Sequence, residues 1–159
     1  MSEQMLITAA AAAHAGFQLV VTAVVYPALA AVPAESWQSA HRAHTRRIAP
    51  VVGIVYVPLA AACLWTAWVI VGDLLDEPAA LLSGGRAVEA GGLLVALLGA
   101  ASSAALTAFG AARTHGRLTA GRDERLVRLL LRQDRWRCGA ALLCLAGAVI
   151  AATAPSSMS

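Results

Sequence analysis

No charged residue interrupts the chain between Gln4 and Ala34. About 20 apolar residues in a helix cross the hydrocarbon core of a bilayer, so a run of this length is built either to span a membrane or to be buried on every side. The run also carries His14, Gln18, Thr22 and Tyr26 at four-residue spacing, which places all four on one helix face. Polar groups in hydrocarbon are costly unless paired, so this stripe must face other helices. It serves either as interhelical hydrogen bonding or as the lining of a pocket.

Three more segments share this character, giving expected spans at 5–32, 48–71, 88–112 and 138–154. With 59% hydrophobic and 13% charged residues and a mean hydropathy of +0.69, the composition is that of a membrane protein rather than a soluble domain. The expected fold class is all-α integral membrane. Residues 1–159 form a single domain, a four-transmembrane-helix bundle with helical cytoplasmic extensions. Trp136 is placed to anchor the short fourth span at the interface. The first span is read as part of the mature chain, because no basic segment precedes it and it exceeds the length of a signal core. Pro58 is expected to kink the second span, and Glu89 to sit in the first turn of the third, toward headgroups or as a favourable charge at a helix start.

All twelve basic residues are arginine, a usage that points to a GC-rich bacterial genome. They concentrate after span one (Arg42, Arg46, Arg47) and after span three (Arg113 through Arg137), whereas the connection between spans two and three is acidic. The positive-inside rule then puts both basic connections in the cytoplasm and both termini outside, in a bacterial inner membrane. The net charge of +3 is a topology signal, and no nucleic-acid partner is expected. Arg125, Arg128, Arg132 and Arg135 recur at helical spacing among leucines, the pattern of an interfacial helix whose arginines reach anionic lipid. Gly92, Ala96, Ala100 and Ala104, with Gly99, Ser103 and Thr107 beside them, form small-residue faces that suit close packing in the bundle or a homo-oligomer. The three cysteines form no C-x-x-C pair and read as small apolar residues. Phosphate loops, G-x-S-x-G and H-E-x-x-H are absent from the sequence.

The four histidines all lie in or beside the spans. His41 and His44 share a helix face and His115 closes span three on the same side, so His41, His44 and His115 are candidate metal ligands. The alternative is a solvated juxtamembrane face, since no carboxylate obviously supports the pair; Asp134 and Glu35 are the nearest. His14 lies about three turns deeper and belongs to a second site or to a long polar channel.

Gln18-Leu19, Tyr26-Pro27-Ala28-Leu29, Trp37, His41 and His44-Thr45-Arg46-Arg47-Ile48 resemble the amino-terminal signature of a family of small bacterial four-helix membrane proteins. His115-Gly-Arg-Leu118, Gly121-Arg-Asp123 and Asp134-Arg-Trp136-Arg137 resemble its second half. The broader relatives are the anthrone-oxygenase-like membrane proteins. The chain departs at Val25, where many relatives carry His, and at Asp134, where Asn is usual.

The resemblance implies the four-helix fold and a membrane-embedded oxidoreductase or oxygenase acting on a hydrophobic small molecule. Copper or iron would sit on His41, His44 and His115, with Tyr26 and Arg137 as catalytic residues and Gln18, Thr22 and Arg47 binding substrate. A cofactor-free oxygenase with a histidine base is a variant of this reading. Haem on His14 is a second reading, and a carrier or non-catalytic accessory subunit a third.

Overall fold

The computed structural model describes residues 3–79, 81 and 83–155, and among these the fold is entirely helical. The first rod is α1 (Glu3–Val20), a π-helical segment π1 (Val21–Val25) and α2 (Tyr26–Ala30). A turn leads to α3 (Trp37–Asp76), a single helix of 40 residues. The third rod is α4 (Gly84–Ala105), a second π-helical segment π2 (Leu106–Ala111) and α5 (Ala112–Leu118), and α6 (Glu124–Ala152) is the fourth. All four rods are long and apolar enough to cross a membrane.

The second and third expected spans lie inside these helices, whereas the first and fourth run two residues past theirs, which end at Ala30 and Ala152. The last three rods extend further at the arginine-rich end. Trp37 to Arg47 is continuous with the second span, and the arginine-rich stretch 125–135 is not a separate interfacial helix: it is the first third of α6. Its arginines occupy the exposed side of that helix while Val127, Leu130 and Asp134 are buried. One helix can therefore pass from a polar phase into an apolar one without breaking. Asp123 starts it, its carboxylate accepting from the backbone N–H groups of Arg125 (2.7 Å) and Leu126 (3.1 Å). Gly121, at φ 155°, supplies the left-handed turn before it.

Pro50 and Pro58 sit within α3, which remains helical through both. Glu89, expected in the first turn of the third span, lies beyond the first turn of α4, which starts at Gly84. It accepts a hydrogen bond from the Gln4 side chain and ties α4 to α1.

The small residues of α4 bury a seam against α6. A Cβ on Gly99 would lie 2.5 Å from the Cys144 backbone nitrogen, and one on Gly147 the same distance from that of Ala96. Such contacts bring the two backbones together and replace a hydrophobic driving force by dispersion. Ala104, expected on this seam, is exposed. Burial is uneven: 39% of the apolar stretch of α6 is buried, 33% of the first and third rods, and 11% of α3.

Each π segment has a local cause. Pro27 cannot donate to the carbonyl of Ala23, and the turn before it widens so that the Tyr26 N–H reaches the Val21 carbonyl. In π2 the Thr107 hydroxyl takes the Ser103 carbonyl at 2.8 Å, and the Ala112 N–H reaches back to the Thr107 carbonyl. Both halves of the chain thus follow one plan: a long helix, a π turn, a short connection and a second long helix.

Candidate functional site

The widened turns aim Tyr26 and His115 at each other from different rods. The Tyr26 hydroxyl lies 3.0 Å from His115 Nε2, and His115 Nδ1 lies 2.9 Å from His41 Nε2. Three residues from three rods form one hydrogen-bonded line. Trp37 fixes its far end. Its indole stacks on His41 at 5.3 Å and donates to the Leu118 carbonyl at 3.1 Å, while Arg122 lies over the same indole. The His44 ring stacks on His115 at 5.6 Å.

Arg137 is the buried charge of this region. It donates to the Tyr26 hydroxyl at 3.4 Å and to Gln18 Oε1 at 3.2 Å, and pairs with Asp134 one turn away at 3.7 Å. Asp134, Arg137 and Gln18 are all buried. The ion pair keeps the apolar surroundings from holding an uncompensated charge. Four buried polar atoms of this cluster, Gln18 Nε2, His44 Nε2, Asp134 Oδ1 and Arg137 Nε, have no hydrogen-bond partner among the described residues. Buried polar atoms are nearly always satisfied, so such a cluster suits a bound molecule or water.

A cavity of about 370 Å³ adjoins the line, bordered by Tyr26, His41, Ile48, Thr107, His115 and Arg137. It combines an apolar wall with a few convergent polar groups, the usual make-up of a small-molecule site.

Of the residues proposed from sequence, Tyr26, His41, His44, His115, Gln18 and Arg137 gather here. Thr22 is half-buried on π1, within reach of Asp134. Arg47 is exposed and stands apart from this cluster, since its position on α3 faces outward. The three histidines do not form a metal centre. Among the described residues no three His, Cys, Asp or Glu side chains converge to hold an ion. Nδ1 of His115 is engaged by Nε2 of His41 and its Nε2 by the Tyr26 hydroxyl, so the His115 ring has no free nitrogen to offer an ion. Copper or iron therefore does not fit this donor set.

His14 is fully buried elsewhere along the bundle. Its Nε2 meets the Ser103 hydroxyl at 3.2 Å and its ring meets Tyr56 edge-on at 4.8 Å. No other histidine joins it, so the described residues form no bis-histidine haem site. The Tyr56 hydroxyl bonds Ser103 (3.2 Å) and Thr107 (3.1 Å) and lies within reach of Arg137. His14 thereby connects to the Arg137 cluster through side chains of three rods. Tyr56, Ser103 and Thr107 are the site residues that motif reasoning missed. The signal available was a tyrosine inside span two and two hydroxyls four apart in span three. No family model, curated protein or solved structure matches the chain.

Proposed function

We propose that this chain is a multi-pass membrane enzyme that acts on a hydrophobic small molecule by proton transfer, with the Tyr26–His115–His41 line as its acid–base machinery and no bound metal. The line itself, beside a cavity that also holds Arg137, is the observation that carries the reading. Either ring nitrogen of His115 can carry the proton. A proton entering at Tyr26 leaves at His41 by one shift along the line, and the rings exchange tautomers without moving. Arg137 is the charge that a developing oxyanion on the bound molecule would meet.

The resemblance to anthrone-oxygenase-like proteins makes oxidation by dioxygen the expected reaction class. Clustering of arginine at one end supports an orientation with the histidines near the cytoplasmic face and both termini outside, in a bacterial inner membrane. The exposed arginines of α6 then lie level with anionic headgroups.

The test is oxygen uptake by the full chain in nanodiscs with a panel of hydroxylated polycyclic aromatics, before and after dialysis against a chelator. Uptake that survives dialysis and disappears in His115→Ala is the expected result. Uptake lost on dialysis and restored by copper or iron would reinstate a metal enzyme, and no uptake with any compound would leave a carrier or accessory subunit as the better reading.

A further inference from the structure

Two cavities lie end to end between α3 and the third rod. The first is the polar pocket, which reaches along α3 as far as Val52. The second, of about 430 Å³, starts one turn further on at Tyr56 and runs between Leu59 and Cys63 on α3 and Leu97 and Ala104 on α4. Apart from the Tyr56 hydroxyl and the Cys63 thiol its lining is aliphatic, and Leu64 on its rim is 73% exposed. Tyr56 borders the second cavity and Thr107 borders the first, and their hydroxyls are bonded to each other at 3.1 Å. The linings of the two spaces meet at this hydroxyl pair and together form a cleft with Tyr56 at its junction.

We infer that this cleft is a lateral access path, along which a substrate dissolved in the bilayer reaches the polar pocket, and that Tyr56 is its gate. The inference rests on the pocket being a substrate site. An aliphatic trough that opens on the membrane-facing side and ends at a hydroxyl matches a lipid-soluble ring compound bearing one phenolic or carbonyl oxygen. The apolar body is stabilised by the trough, and the oxygen finds a donor first at Tyr56 and then at His115 and Arg137.

Displacing the phenol leaves its hydroxyl neighbours bonded. When the phenol swings aside, Thr107 keeps its bond to the Ser103 carbonyl and Ser103 keeps His14, so neither hydroxyl is left bare. The incoming oxygen takes the place that the Tyr56 hydroxyl vacates.

The test uses 4-hydroxybenzophenone, which is phenolic, lipid-soluble and photoreactive, mixed with the full chain in nanodiscs and flashed at increasing delays, with adducts mapped by mass spectrometry. Ala60→Trp and Ala101→Trp fill the groove from opposite walls at exposed positions, and Leu98→Trp adds the same ring on a lipid-facing position outside it. Expected is adduct formation in both groove and pocket of the wild type, with the pocket labelled several-fold more slowly in both groove variants and at the wild-type rate in Leu98→Trp. Pocket labelling at the wild-type rate in the filled variants would overturn the access path while leaving the pocket in place. No pocket adduct in any protein would overturn the pocket reading and the path together.

Discussion

His41 Nε2 and His115 Nδ1 face each other across 2.9 Å, so one of the two nitrogens must carry the hydrogen, and the choice at this pair fixes the tautomer of both rings. With Tyr26 donating to His115 Nε2, His115 donates to His41. Reversed, His41 donates to His115 and His115 to the Tyr26 oxygen. Mutating one end of the line therefore has consequences at the other.

Tyr26→Phe is expected to cost about 1 kcal/mol, the scale of a side-chain hydrogen bond between membrane helices. It should also move the ring-nitrogen NMR signals of His115 and of His41, although His41 does not touch Tyr26. A change confined to His115 would show that the line is not coupled.

Arg137→Leu leaves Asp134 buried without its partner and should destabilise the fold by about 3–5 kcal/mol, whereas the double replacement Asp134→Leu/Arg137→Leu should recover most of that loss. Denaturant titration of the three proteins in detergent checks it. Equal losses in the single and double variants would mean that the pair is not what holds this region.

Gly99→Ala and Gly147→Ala each place a methyl about 2.5 Å from backbone of the facing helix and should lower the unfolding temperature sharply, because two backbones and not a flexible side chain must separate. Gly53→Ala, which meets nothing within 4 Å inside α3, should be neutral or slightly stabilising. Thermal unfolding of the three variants decides this.

The N–H groups of Leu126 and Arg125 hold the Asp123 carboxyl below the ordinary aspartate range. A carboxyl depressed on folding stabilises fully above its unfolded pKa, and that contribution is lost as pH falls through the native value. Asp123→Ala should therefore unfold more readily than wild type at neutral pH, with the gap closing in acid below the usual aspartate range. A gap that persists unchanged in acid would assign the effect to something other than this cap.

Hydropathy and arginine placement were enough to read four helices, because both act locally along the chain. Helical spacing put His41 and His44 on one face opposite Thr22 and Tyr26, whereas no local signal placed Arg137 beside Tyr26. The π turns were not legible either, since they depend on which ladder carbonyl Pro27 or Thr107 leaves or takes, and no periodicity shows this. Arg47 directly precedes Ile48, which borders the pocket, but successive helix positions point about 100° apart and Arg47 is exposed. The engagement of both His115 nitrogens was equally illegible, because sequence spacing brings rings together without saying which neighbour each nitrogen takes.

The low burial of α3 determines which part of the molecule can yield. The first and third rods both pack along the fourth, and the glycine seam locks the third and fourth backbone to backbone. The 40-residue α3 packs along α1 and is tied to the third rod by Trp37, His41, Tyr56 and its far end at Asp73, where Arg86 pairs with it. A breathing motion of the protein will therefore be a displacement of one stave away from a rigid frame, and that stave is the one carrying two of the three clustered histidines.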